Sequence, residues 1–204
     1  MTAKLGVILL AAGASQRMGQ NKQLLPVPDE PAIRFIIRQI LDAGLETLVV
    51  VLGANREKIR PVLAELPVTI AVNTRPDSHM AESVSCGLSE MPDPVTGIMI
   101  ALCDHPLVAS ATYAALNNRY TQTPDSILLP VYNGRGGHPT VFPRVLCNAA
   151  HDGIPLNRVV HRHTDHVCRI PVDDPAIVLD MDTPDDYQRV LSLAPRLFRS
   201  GFCV

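Results

Sequence analysis

Residues able to grip a triphosphate gather in one stretch, Leu10-Ala-Ala-Gly-Ala-Ser-Gln-Arg-Met-Gly-Gln-Asn-Lys22. Ala11, Ala12, Gly13 and Ala14 carry little or no side chain, so a base and ribose can approach the backbone closely. Arg17 offers phosphate oxygens a bidentate fork, whereas Lys22 is a compact point charge. Two familiar phosphate loops are excluded. A G-x-G-x-x-G fingerprint fails because Gly13 is followed by Ala14 and Ser15. A G-x-x-x-x-G-K-[ST] loop fails because Gly19 is followed by Gln20 and Asn21. On spacing alone the stretch also suits an ordinary connecting loop with two solvated cations.

Two acidic segments lie far downstream. Asp104 follows an apolar run in Cys103-Asp-His-Pro, where a strand end would project its carboxylate into a crevice. Asp182 sits in Leu179-Asp-Met-Asp-Thr-Pro-Asp-Asp186, immediately before a helix start at Thr183-Pro184. That segment reads equally as a helix N-terminus with Asp185 and Asp186 favouring the dipole; Asp182 is free to do something else. Between them, Tyr132-Asn-Gly-Arg-Gly-Gly-His-Pro-Thr-Val-Phe142 is glycine-rich and carries Arg135 and His138. It could wrap an anionic acceptor with Arg135, Gly137 and His138, or simply turn a hairpin that exposes a histidine.

Leu-Ala-Ala-Gly-x-Ser-x-Arg-Met-Gly-x-x-Lys resembles the signature loop of the nucleotidyltransferases that act on the molybdenum cofactor. Asp-x-Pro after the middle strand, Asp-x-Asp-Thr-Pro-x-Asp near the end, and Gly-His-Pro resemble further segments of that family. So does Glu82-Ser-Val-Ser-Cys-Gly-Leu88, and the likeness runs from about Val7 to Tyr187. The resemblance implies a Rossmann-like nucleotidyltransferase fold. Within it, Leu10, Ala11, Ala12, Gly13, Ser15 and Ser83 would contact the nucleotide. Arg17 and Lys22 would stabilise the triphosphate, Asp104 and Asp182 would bind Mg²⁺, and Arg135, Gly137 and His138 would receive the acceptor. It implies CTP and a molybdopterin-type acceptor, with transient contact to a recipient molybdoenzyme or its chaperone. GTP, or a sugar phosphate or other small phosphorylated acceptor, is the alternative. A non-catalytic cofactor carrier ranks below both, because Lys22 and Asp104 are present. The sequence departs from the family at Cys103, where Gly is common. It departs also at Asp29-Glu30, where the family usually has Gly-Lys in a turn, and at His79-Met-Ala-Glu82, where small residues are commoner.

These residues need elements to position them. The run at 5–12 is apolar and β-branched, as a strand buried on both faces requires. Further strands are expected at 47–52, 68–72, 97–102, 127–132, 140–142 and 167–172. Helices are expected at 31–43, 55–65 (capped by Asn55), 82–88, 110–120, 143–150, 156–163 and 184–193. Alternating strands and helices predict a single α/β domain over 1–204, with a doubly wound, mostly parallel sheet.

Composition narrows the function. Of 204 residues 47% are apolar, enough for a large core, yet no run approaches the ~20 residues of a membrane span. No leader is apparent at the N-terminus, so a cytoplasmic location is expected. A formal charge of −2, no Trp, and only four Tyr and four Phe argue against nucleic-acid and membrane partners. The five cysteines have no metal or redox spacing and are expected to be reduced thiols. His161, His163 and His166 lack the partners of a tetrahedral zinc site and suit a solvated helix end.

Overall fold

The computed structural model describes residues 3–13, 15–75 and 79–198. Its strands are β1 (Leu5–Ala11), β2 (Leu48–Leu52), β3 (Thr69–Val72), β4 (Gly97–Leu102), β5 (Ile127–Tyr132), β6 (Arg135–Gly136), β7 (Thr140–Pro143) and β8 (Val167–Pro171). The helices are α1 (Ala32–Asp42), α2 (Arg56–Leu63), α3 (Met80–Ser89), α4 (Ser110–Gln122), α5 (Arg144–Cys147), α6 (Leu156–Arg162) and α7 (Pro184–Phe198).

The strands form one sheet in the order β3-β2-β1-β4-β7-β5-β6, with β8 also paired to β5. Parallel ladders join β1 to β2 and to β4, β2 to β3, and β5 to β8. The α/β class and mostly parallel sheet are as expected. The insertion of β7 antiparallel between β4 and β5 was not anticipated. It follows from the turn at 133–139, which reverses the chain and so needs no crossover helix.

Alternation along β1 builds two layers. Val7 and Leu9 pack on one face with Ile33, Ile36 and Ile37 of α1, Leu116 of α4 and Val190 of α7. Ile8 packs on the other face with Val84 and Leu88 of α3 and Val159 of α6. Covering both faces explains why β1, β2 and β4 read as continuous apolar runs. Helix α3 lies close on the sheet because Gly87 has no side chain. A Cβ there would come within 2.7 Å of the Ile8 side chain.

Several boundaries differ for local reasons. Helix α3 starts at Met80, before the expected 82, because the Glu82 carboxylate accepts the His79 backbone N–H at 2.7 Å and closes a capping box. Asn55 precedes α2 without a side-chain cap; its carbonyl accepts from Lys58 and Ile59 instead. The expected helix at 143–150 divides into α5 and a 3₁₀ segment. Helix α7 runs on to Phe198, whose ring meets Phe35 edge-on at 4.9 Å. Cys86, Cys103, Cys147 and Cys168 are free thiols, and Cys203 lies outside the described residues. No helix among the described residues is long and apolar enough to cross a membrane.

Candidate active site

The carboxyl ends of β1, β2, β3 and β4 border one cleft of about 730 Å³. Its floor is the loop after β1, through Leu10, Ala11, Ala12, Gly13 and Ser15; Ala14 lies outside the described residues. Ser15 takes a left-handed backbone (φ 54) and starts the tight path to Lys22. The loop is braced by Gln23, which is fully buried and donates its amide to the carbonyls of Ala11 (3.1 Å) and Gly13 (3.0 Å). The Ser15 hydroxyl accepts the Lys22 backbone N–H at 3.2 Å and donates to Gln23 Oε1 at 3.4 Å. Ser15 therefore meets the cleft while its hydroxyl is engaged in holding the loop.

Beside this loop, Gly53 at the end of β2 lies against the Ala12 backbone, where a Cβ would collide with the Ala12 carbonyl. At the end of β3, buried Asn73 donates to Ser83 Oγ at 3.0 Å and accepts the Arg75 backbone N–H at 3.1 Å. That wall is completed by Met80, Ser83 and Arg56.

The charged centre borders the same cleft. Lys22 Nζ donates to Asp104 Oδ2 and to Asp182 Oδ1, each at 2.9 Å, and Arg17 donates to Asp182 Oδ2 at 2.6 Å. The Lys22 side chain is only 11% exposed, against 72% for Arg17. Burial by itself would lower the Lys22 pKa. The Asp104 charge and the hydrogen bonds to both carboxylates outweigh it, so the ammonium is held above its ordinary value. Burial would likewise raise Asp182, but Lys22 and then Arg17 hold it below the usual carboxylate range. Asp104 Oδ1 is buried and has no hydrogen-bond partner among the described residues. Cys103 is no nucleophile: burial, then the Asp104 charge, push its thiol up to about 12.

Two features bring Asp182 here. Met181 is buried and anchors the segment, while Asp180 faces outward. Thr183 and Asp186 then exchange hydrogen bonds across the first turn of α7, with Asp186 N–H to Thr183 Oγ1 at 3.2 Å and Thr183 N–H to Asp186 Oδ2 at 3.0 Å. Asp174, upstream and buried, accepts from Ala109 N–H (3.0 Å), Thr112 Oγ1 (2.6 Å) and Ala176 N–H (2.9 Å). It ties the start of α4 to the chain leading to Asp182.

The glycine-rich segment is less convergent. Arg135 is exposed on β6, and neither it, Gly137 nor His138 lines the cleft. Gly137 packs against the Ile177 backbone, leaving no room for a Cβ. The His138 ring lies 5.4 Å from that of His105, whose Nε2 is 4.0 Å from Asp104 Oδ1. Burial, then the neighbouring His105, bring the His138 pKa down to about 4 against a backbone hydrogen bond with Ile100, and its buried Nδ1 has no hydrogen-bond partner among the described residues. His138 is thus a neutral ring near the acidic centre, not the exposed turn histidine. His163 and His166 meet edge-on at 6.2 Å while His161 is exposed.

Arg17, Lys22, Asp104 and Asp182 therefore meet, with Leu10, Ala11, Ala12, Gly13, Ser15 and Ser83 lining the same cleft. Sequence reasoning missed Gln23, Gly53, Asn73 and Asp174. Asn73 was accessible from the rule that ligands bind beyond strand carboxyl ends. The other three act through contacts that no local pattern signals.

The chain is 32% identical over 126 residues to the bifunctional protein GlmU of Mycolicibacterium paratuberculosis, covering 57% of this chain and 26% of that protein. It thus spans about a quarter of the length of that curated relative. It superposes on the crystal structure of Rv0371c from Mycobacterium tuberculosis H37Rv with a TM-score of 0.83 at 29% identity, covering 94% of this chain and 100% of that one. The same mycobacterial protein has a structure in complex with manganese, with a TM-score of 0.78 at 28% identity over 93% of this chain and 99% of that one. A molybdopterin-guanine dinucleotide biosynthesis protein A from Archaeoglobus fulgidus shares the fold, with a TM-score of 0.70 at 14% identity over 94% and 99% of the two chains. Residues 7–167 match the MobA-like NTP transferase domain, and the chain belongs to that nucleotidyltransferase family.

Proposed function

We propose that this chain is a CTP:molybdenum cofactor cytidylyltransferase, moving the cytidylyl group of CTP onto the phosphate of a molybdopterin-type acceptor with release of pyrophosphate. The observation that carries nucleotidyl transfer is the meeting of Lys22 with Asp104 and Asp182, 2.9 Å from each, at one end of a cleft floored by small residues. The molybdopterin acceptor and the choice of CTP rest on the signature loop and its companion segments, which resemble those enzymes.

In the reaction an acceptor phosphate oxygen attacks the α-phosphorus in line, and the bond to the pyrophosphate oxygen breaks. The Ala11–Gly13 backbone receives base and ribose. Lys22 and Arg17 stabilise negative charge as it develops on the phosphoryl oxygens. Asp104 and Asp182 would hold Mg²⁺, a hard cation that typically uses one or two carboxylates plus substrate phosphates and offsets phosphoryl charge. The donor set fits: two carboxylates converge on Lys22 Nζ, and Asp104 Oδ1 accepts no hydrogen bond from the described residues. His138 would stand behind the acceptor as a neutral ring, packed beside His105 and hydrogen-bonded to the Ile100 backbone, rather than as a cation. An ionised acceptor phosphate needs positioning more than deprotonation. Arg135 would reach the acceptor from the exposed hairpin.

The test is pyrophosphate release from purified protein with Mg²⁺, molybdenum cofactor and each NTP in turn. Turnover with CTP is expected. Turnover with GTP alone would replace the base, and turnover only with a sugar phosphate would replace the acceptor. No metal-dependent turnover with any acceptor would leave the carrier reading.

A further inference from the structure

The proposed metal ligands are already bridged by a cation of the chain itself. Lys22 Nζ is 2.9 Å from Asp104 Oδ2 and 2.9 Å from Asp182 Oδ1, and Arg17 covers the other Asp182 oxygen at 2.6 Å. Two carboxylates against Lys22 and Arg17 sum to zero formal charge. A divalent cation approaching this cluster alone therefore finds no net attraction and an ammonium between the oxygens it would ligate.

The local structure lets the head group leave while the backbone stays. Lys22 opens a short 3₁₀ turn whose start is held by its own N–H to Ser15 Oγ, and next to it Gln23 is fixed to Ala11 and Gly13. Only the four-carbon stem is free to turn, on a side chain whose ammonium has rotatable donors. The cleft in front of it is where a triphosphate would supply competing anionic oxygens. The ammonium also uses the seat incompletely. Asp104 Oδ1 is buried and accepts no hydrogen bond from the described residues, with His105 Nε2 at 4.0 Å, so it is an acceptor that a cation of higher coordination number can use.

We infer that Lys22 is a built-in placeholder: it occupies the divalent-cation seat between Asp104 and Asp182 until a triphosphate draws it away, so that cation and nucleotide load together. The inference rests on the metal-ligand assignment proposed above. Its consequence is that the nucleotide-free protein binds a divalent cation weakly. A lone cation then does not trap the site, and the charge leaving the carboxylates is delivered to the phosphates.

The test is Mn²⁺ binding to the full chain without nucleotide, read from loss of the free-ion electron paramagnetic resonance signal. Lys22→Met and Lys22→Gln are each compared with wild type; the glutamine variant keeps hydrogen-bonding capacity should the methionine variant not fold. Both are expected to bind Mn²⁺ about tenfold tighter or more. Adding Asp104→Asn to either should abolish the gain. Mn²⁺ should also raise the unfolding midpoint of Lys22→Met more than that of wild type. Equal affinity in wild type and the Lys22 variants, with Asp104→Asn still removing binding, would overturn the placeholder and leave the metal ligands standing. Binding indifferent to Asp104, or absent even in the Lys22 variants, would overturn both.

Discussion

Replacing Asp104 by Asn separates what this carboxylate does for chemistry from what it does for the fold. The substitution keeps the volume and one oxygen but removes the charge facing Lys22 Nζ at 2.9 Å. Breaking a fully buried pair costs roughly 3–5 kcal/mol, and breaking an exposed one about 0–1. Here the side chains are 11% and 25% exposed, and Lys22 keeps its bond to Asp182. A loss of about 1–2 kcal/mol in unfolding free energy is therefore expected. The transition state loses a metal ligand. A single electrostatic contributor of this kind is worth about 10²–10³ in turnover, or roughly 3–4 kcal/mol. Urea unfolding followed by circular dichroism and pyrophosphate release under identical buffer conditions measure the two losses. Asp174→Ala is the internal control. It strands three donors that Asp174 now satisfies, so it should lose roughly 2–4 kcal/mol of stability, and because Asp174 acts on the site only by steadying the segment that carries Asp182, the folded protein should lose far less turnover than Asp104→Asn does. If Asp104→Asn turned over within about threefold of wild type while losing its expected stability, Asp104 would be only a counter-ion for Lys22, and the catalytic assignment would be wrong.

Other consequences follow from single contacts. Gly53→Ala should force the Ala12 backbone aside, costing about 1–3 kcal/mol and raising the KM for nucleotide; wild-type values of both would show that the two loops part freely. Gln23→Leu removes both bonds bracing the loop and should lower stability by about 1–3 kcal/mol and weaken nucleotide binding, as calorimetry would report. His138 has a folded pKa of about 4 against an ordinary 6.5, so the unfolded chain binds more protons between those values and stability falls as pH drops through that window. Over it the loss reaches roughly 3 kcal/mol, and His138→Gln should flatten the dependence measured by urea unfolding between about pH 7 and pH 4. An unchanged slope would mean that the ring is protonated in the folded state. Asp182 acts lower still: with its pKa depressed, its contribution is complete above the ordinary 3.8 and lost as pH falls below it.

Much of this protein is legible along the chain because the deciding interactions are local or periodic. Continuous apolar runs mark strands covered on both faces, and small residues between Leu10 and Ser15 mark a loop open to a ligand. Thr183 and Asp186 announce a helix start that the structure closes with reciprocal hydrogen bonds. The cations were also visible in the loop after β1, Asp104 at the end of β4 and Asp182 just before the start of α7. What no stretch of sequence encodes is their meeting. Lys22 and Asp104 are 82 positions apart, Lys22 and Asp182 160, and their bonds exist because β1 and β4 are parallel neighbours while α7, packed on one face of the sheet, starts beside their carboxyl ends. The antiparallel strand β7 likewise depends on a partner, β4, distant in sequence. Burial of Gln23, Asp174 and the His138 ring is equally a matter of neighbours: a polar side chain becomes a brace, a staple or a neutral ring only when tertiary packing removes water from around it.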